Sequence, residues 1–285
     1  MHTFISLIVL SVTTTTLATL DEPIKLDSRR ELFVDRFLID RMENLRLELN
    51  RPRDEGVVLK FDNPWEGAFC GYCTVIHDGA KFRCYYRGLP ASGKDGSSSE
   101  VTCYAESTDG VKWTKPDWGV FEVNGTKKNN VVLADVAPVT HNFSPFLDTR
   151  PGVPDAERWK GLGGTMTSGL VAFGSADGLR WRRLRDEAVI AKSMVPFQYM
   201  FDSQNVSCWS PSERRYVCYF RVFKDGIRRI ARTTSEDFVK WTEPVLMEYR
   251  HGDSAAPIEH LYTNQTHPYF RAPHLYVAIA ARFMP

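Results

Sequence analysis

The stretch Ser107-Thr108-Asp109-Gly110-Val111-Lys112-Trp113 returns as Ser175-Ala176-Asp177-Gly178-Leu179-Arg180-Trp181, and again, loosened, as Ser235-Glu236-Asp237-Phe238-Val239-Lys240-Trp241. Its tryptophans stand 68 and then 60 residues apart. Recurrence at a near-constant period marks an architecture assembled from copies of one unit. Each copy has the logic of a tight turn. Asp and Ser bond locally to backbone, Gly supplies positive φ, and the Trp that follows covers an apolar face. The motif is therefore structural rather than catalytic.

Short strand-like runs lie between the turns. The first repeat reads Tyr72 to Ile76, a turn at Asp78-Gly79, Lys81 to Arg87, a polar loop from Gly88 to Glu100, then Val101 to Glu106. Two hairpins in succession make an antiparallel meander. The second repeat starts near His141 and continues through Trp159 to Leu162 and Leu170 to Phe173. The third starts at Asp202, and its Tyr216 to Arg221 matches Phe82 to Arg87 in character, position by position. A fourth begins at Glu259 and stops without its own turn. Upstream, Leu45-Arg46-Leu47-Glu48-Leu49 alternates as a half-buried strand should. Nothing sustains a 3.6-residue period, so helices are expected to be few. Four-stranded units of about 60 residues, set radially, make a β-propeller. The expectation is an all-β chain holding about three and a half to four blades of an incomplete ring.

Composition narrows the partners. A net charge of +1 and the absence of a basic run give no reason to expect nucleic acid. An aromatic content of 12%, with seven Trp, favours strands and suits surfaces on which sugars stack. Residues 1–20 read as a signal peptide, an apolar stretch followed by small residues before Asp21-Glu22. The expected mature protein is a single propeller domain over residues 21–285, secreted or periplasmic, with no membrane span once the leader is removed. Six cysteines are too few for a disulfide scaffold. A bridge between Cys84 and Cys103 is one reading and buried free thiols are the other. No metal site and no cofactor is expected, because Cys70-x-x-Cys73 lacks a second pair and no phosphate-binding glycine loop is present.

The chain resembles the five-bladed propeller superfamily of glycoside hydrolases, the invertase-like and arabinanase-like enzymes, and within it a secreted bacterial group labelled family 32-like. The resemblance is carried by Asp62-Asn63-Pro64-Trp65-Glu66-Gly67, the three Ser-x-Asp-x-x-x-Trp turns, Phe201-Asp202-Ser203-Gln204-Asn205 and Glu259-His260-Leu261-Tyr262-Thr263-Asn264. It implies a five-bladed ring continuing past Pro285 and a carbohydrate substrate. The invertase-type signatures themselves are absent.

Glycoside cleavage needs two carboxyl groups, one protonated and one ionised. A propeller brings distant segments together where its first strands begin. Aligning the repeats nominates Asp202, Glu66 and Glu259 as catalytic carboxylates. Asp62, Trp65, Asn142, Gln204, Asn205, His260, Tyr262 and Arg271 are the candidates for holding sugar hydroxyls. Two other readings remain: a non-catalytic carbohydrate-binding propeller, and a sialidase-like protein whose turns resemble the Asp box.

Overall fold

The structure, a computed structural model, describes residues 24–251 and 254–284. The expected signal peptide lies outside the described residues. Backbone contacts divide the chain into one unit ending at Asn50 and a second running from Arg51. Residues 24–50 contain bends and turns but no strand or helix. The strand expected over Leu45–Leu49 is not formed, and its three leucines are exposed. Alternation creates an apolar face, but a strand also needs a partner for its backbone N–H and C=O groups.

The second unit is built almost wholly of strands. Its first sheet contains β1 (Gly71–His77), β2 (Phe82–Gly88), β3 (Val101–Ser107) and β4 (Val131–Leu133) in that spatial order. The second contains β5 (Ser144–Leu147), β6 (Trp159–Thr165), β7 (Gly169–Ser175) and β8 (Arg182–Arg183), again in sequence order. The third contains β9 (Val206–Ser210), β10 (Arg215–Lys224), β11 (Ile227–Ser235) and β12 (Val245–Leu246). All the pairings are antiparallel, as the repeat pattern predicts. Two hairpins follow, β13 (Arg250–His251) with β14 (Ser254–Ala255), and β15 (His267–Tyr269) with β16 (Ala272–Val277). The strand expected from Glu259 to Asn264 is reduced to a single bridge between Leu261 and Arg282. The only helices among the described residues are two single 3₁₀ turns.

Strand periodicity explains how the sheets sit together. Along β10, Tyr216, Cys218, Phe220 and Val222 pack with Phe146, Leu162 and Leu170 of the second sheet. The intervening Val217 and Tyr219 pack the other way, against Leu261 and Tyr276. Along β2, Tyr85 faces Trp159 and Leu179 of the second sheet, while Cys84 and Tyr86 face away. The second and third sheets thus bury both faces between neighbouring repeats, while the outer face of the first is covered by loop residues such as Leu59, Trp65 and Phe121. First strands meet first strands, β1 against β5, β5 against β9, and β9 against β15. All six cysteines are free thiols, so Cys84 and Cys103 are not bridged.

The repeated turn closes the far end of each sheet with the same bonds. In the first copy the Ser107 hydroxyl donates to Asp109 Oδ1 and accepts from the Gly110 N–H at 2.9 Å. Asp109 Oδ1 also accepts from the N–H groups of Val111 and Lys112 at 2.9 and 2.7 Å. The second and third copies reproduce these contacts through Ser175–Asp177 and Ser235–Asp237. Gly110 and Gly178 adopt φ of +77° and +74°. In the third copy Phe238 holds φ +68°, a conformation costly for a side chain. Burial offsets that cost, since Phe238 packs wholly inside the core with Phe146, Tyr216 and Trp241.

This gives an inverted ranking. Phe238→Ala and Phe238→Gly both empty the same site, and each should cost about 3–5 kcal/mol. Because of the positive φ, the glycine variant should be the more stable of the two by about 1 kcal/mol. Denaturant titration of both variants checks this, and an alanine variant as stable as the glycine one would refute it.

Candidate functional site

One polar side chain from each repeat meets its neighbours where the first strands begin. Thr74 Oγ1 lies 3.4 Å from Ser144 Oγ and accepts a hydrogen bond from Gln204 Nε2 at 2.9 Å. Gln204 also donates to the Tyr72 carbonyl at 3.1 Å, and its own Oε1 accepts from Gln265 Nε2. Thr74, Ser144 and Gln204 are buried. The chain of bonds therefore joins β1, β5, the approach to β9 and the approach to β15 at one level.

Two arginines border this level. Arg87 and Arg221 occupy the same position in the second strands of the first and third sheets, each five residues after the aligned Phe82 and Tyr216. Period-2 alternation aims Arg87 at the second repeat, where Nη1 donates to Asn142 Oδ1 at 3.2 Å and to Asp95 at 3.3 Å. Arg221 faces the fourth repeat, where Nη1 donates to the Tyr262 carbonyl at 3.3 Å and Nη2 to Asp202. The guanidinium groups lie over aromatic rings, Arg87 at 4.5 Å from the Tyr72 centroid and Arg221 at 4.6 Å from that of Tyr262.

Arg87 is backed by a buried relay. The Glu100 carboxylate meets His141 Nδ1 at 2.9 Å, His141 Nε2 accepts from the Asn142 amide at 2.8 Å, and the Asn142 oxygen accepts from Arg87. The bonds assign the imidazole proton to Nδ1. Burial pushes the Glu100 carboxyl up, but the bonds from His141 and the Gly96 N–H outweigh it, so Glu100 stays below the usual glutamate range. The Tyr72 phenol is pushed up to about 12, first by burial and then by Tyr262, against the pull of Arg87 and Arg221. It is therefore a neutral hydroxyl donor at neutral pH. The loop from Gly88 to Glu100, polar in sequence, supplies both Asp95 and Glu100.

The carboxylates nominated from sequence fall into three different surroundings. Asp202 joins the Arg221–Tyr262 group. Glu66 is sealed inside the first sheet's outer cluster, where it accepts from Tyr86 Oη at 2.6 Å, Lys115 Nζ at 2.9 Å and the Asn63 N–H at 2.8 Å. Glu259 is exposed and paired with Arg282 at 2.8 Å, on the wall of an open cavity of about 730 Å³ lined by Arg229, Tyr249, Leu261 and Asn264. The alignment that equated them slips, because β1 begins at Gly71 and β15 at His267, each farther downstream of its glutamate than β9 is of Asp202.

Of the other nominated residues, Asn142, Gln204 and Tyr262 stand at the first-strand level with Asp202. Asn205 is buried beside them, its amide donating toward the Phe201 carbonyl at 3.5 Å. Trp65 donates to Asn130 at 2.7 Å from within the outer cluster, and Asp62 holds Lys115 at 3.1 Å. His260 accepts from the Arg228 N–H at 3.3 Å, and Arg271 is exposed over Phe270. Sequence reasoning did not nominate Tyr72, Arg87, Asp95, Glu100, His141 and Arg221, which the structure groups with Asn142 and Asp202. The available signal was an arginine recurring at one register position of two strands, directly after a run of apolar and aromatic residues.

No known family pattern matches the chain, and no curated protein matches it. Solved structures do resemble it. An exo-1,5-alpha-L-arabinanase from a bovine ruminal metagenomic library superposes with a TM-score of 0.50 at 7% identity, over 78% of this chain and 74% of that one. A glycosyl hydrolase from Bacteroides ovatus matches with a TM-score of 0.44 at 9% identity, over 71% of this chain and 61% of that one. An N-acetylgalactosamine deacetylase from F. plautii matches with a TM-score of 0.44 at 16% identity, over 74% of this chain and 64% of that one. The first likeness shows a shared fold. This chain spans less than two thirds of the length of the other two.

Two measurements probe the site's construction. Gln204→Leu leaves Thr74 and the Tyr72 carbonyl without their donor and should cost about 1–3 kcal/mol of stability. Glu100 has a folded pKa below its unfolded value of 4.5, so its contribution is complete above that pH and is lost as pH falls through the folded pKa. Urea midpoints of Glu100→Gln should therefore fall less steeply than the parent's between about pH 5 and pH 3. An unchanged slope would count against the Glu100–His141 pair.

Proposed function

We propose that this chain carries the carbohydrate site of a five-bladed propeller and belongs to an exported glycoside hydrolase. The observation that carries this reading is the convergence around Tyr72 of two Arg–Asp pairs, two aromatic rings and the amides of Asn142 and Gln204. Rings offer a face for the apolar side of a sugar, and amides and guanidinium groups offer bonds to hydroxyls. Asp202 and Asp95 are the partly exposed carboxylates of this group. In this reading they are the pair that cleavage requires, one as acid and one as nucleophile or base. Glu66 braces the first sheet through Lys115 and Tyr86.

A second reading is a binding module without turnover. It is favoured by the fact that each carboxylate here already has a partner, Asp202 in Arg221, Asp95 in Arg87 and Glu100 in the His141 Nδ1–H. A screen of the full-length secreted protein against polysaccharides separates the two. Hydrolysis is expected, with Asp202→Asn and Asp95→Asn each lowering kcat on the order of 10²-fold or more. Saccharide binding without release of any product would favour the binding module, and an Asp202→Asn enzyme as active as the parent would remove Asp202 from the chemistry.

A further inference from the structure

We infer that the sugar taken at this site carries a carboxylate, a uronic acid unit gripped by Arg87 and Arg221. The inference rests on the carbohydrate reading above and adds the charge of the ligand to it.

The argument begins with the cost of burying a cation. A guanidinium removed from water needs a partner that repays several kcal/mol of lost hydration. The same molecule shows how a purely structural pair does this. Lys160 and Asp148 are both buried, with side-chain exposures of 2% and 0%, and the Tyr216 hydroxyl completes the carboxylate's bonds at 2.6 Å. The two arginines differ. Arg221 is 2% exposed, but its partner Asp202 is 67% exposed. Arg87 is 8% exposed, and Asp95, at 3.3 Å, is 39% exposed. Each buried cation is thus balanced by a carboxylate that keeps a substantial part of its surface in solvent, where a pair is less firmly held than a buried one.

The donors are also incompletely used. The Nε atoms of Arg87 and Arg221 are buried and have no partner. The remaining bonds of Arg87, to Asp95, Asn142 and the Phe69 carbonyl, are 3.2–3.3 Å long. An Nε with the adjacent Nη is the edge on which a planar carboxylate binds in two parallel bonds. Meanwhile Phe69 and Tyr72 under Arg87, and Tyr262 under Arg221, hold the flat faces of the guanidinium groups. Stacked faces and a buried Nε–H left without an acceptor are what a planar anion would complete, by displacing the partly exposed aspartate from the neighbouring Nη. A neutral sugar makes no use of two buried positive charges, because hydroxyls are equally well met by amides. The arginine recurs at one position of two repeats, and each is turned toward the repeat that follows, beside the residues that lead into its first strand.

Isothermal titration calorimetry on the intact chain tests this with trigalacturonic acid, its methyl ester, a glucuronic acid disaccharide, a sulfated galactose disaccharide and a neutral galacto-oligosaccharide. At least one uronide should bind about tenfold tighter than the ester and the neutral sugar, with an affinity that falls as salt rises. Arg221→Lys retains a buried cation but loses the fork, and it should weaken uronide binding about tenfold and neutral-sugar binding by clearly less. Asp202→Asn frees Arg221 and should tighten uronide binding roughly threefold, the opposite of its expected effect on turnover. If neutral sugars and esters bind as well as the acids, or the sulfated sugar binds as well as either uronide, the carboxylate assignment is overturned and the carbohydrate reading stands. If no saccharide of any class binds, both readings fall.

Discussion

The fold depends on the hydrogen-bonded chain that crosses the meeting point of the first strands. Thr74, Ser144, Gln204 and Gln265 come from four successive repeats, and their bonds span 61 to 132 residues of sequence. Buried polar atoms are tolerable only when paired, so once one of these groups is in place its partners are constrained in position and register. Apolar packing between sheets is less demanding. A leucine or phenylalanine contacts whatever surface of suitable shape it meets, and side-by-side sheets can slide before such contacts are lost. Directional bonds at one level prevent that sliding.

With the first strands fixed, the rest of each sheet follows from local rules. Hairpins return the chain outward, alternate residues face the two neighbouring sheets, and the Ser-x-Asp turn closes the third strand by four short bonds. Phe238 shows how far the core can override a local preference. A large aromatic side chain accepts φ +68° because the same residue fills the interior between the second and third sheets. The arginines exploit the same alternation. Arg87 and Arg221 share a parity that elsewhere in their strands carries Tyr85 and Tyr219, so the position that would extend a hydrophobic row instead delivers a cation to the site.

The site itself is electrostatically layered. Glu100 and His141 lie innermost and hold Asn142 and, through it, Arg87. The arginines form the next layer against Tyr72 and Tyr262, and Asp95 and Asp202 face solvent. Lys160–Asp148 is wholly buried and reaches the next sheet through the Tyr216 hydroxyl, whereas Asp95 and Asp202 meet their arginines from partly exposed positions. The difference between the two kinds of pair lies in the solvent exposure of the carboxylate.

The all-β character, the meander of each repeat and the role of the Asp turns were legible from sequence, because strand periodicity and turn chemistry are decided by residues within a few positions of one another. The same locality misled at Leu45–Leu49, where a sound pattern has no strand to pair with, and at Glu259, where the fourth repeat begins later than its likeness to the others implies. Asp202, Asn142, Gln204 and Tyr262 were nominated because they flank strand starts, and Arg87, Asp95 and the Glu100–His141 relay beside them were not. Their meaning comes from contacts made across 41 to 55 residues by side chains whose neighbours in sequence are unremarkable. Local chemistry determines which strands and turns a chain can form. Which polar groups face one another across the meeting of the strands is decided only when the sheets pack, because burial forces distant donors and acceptors to find each other.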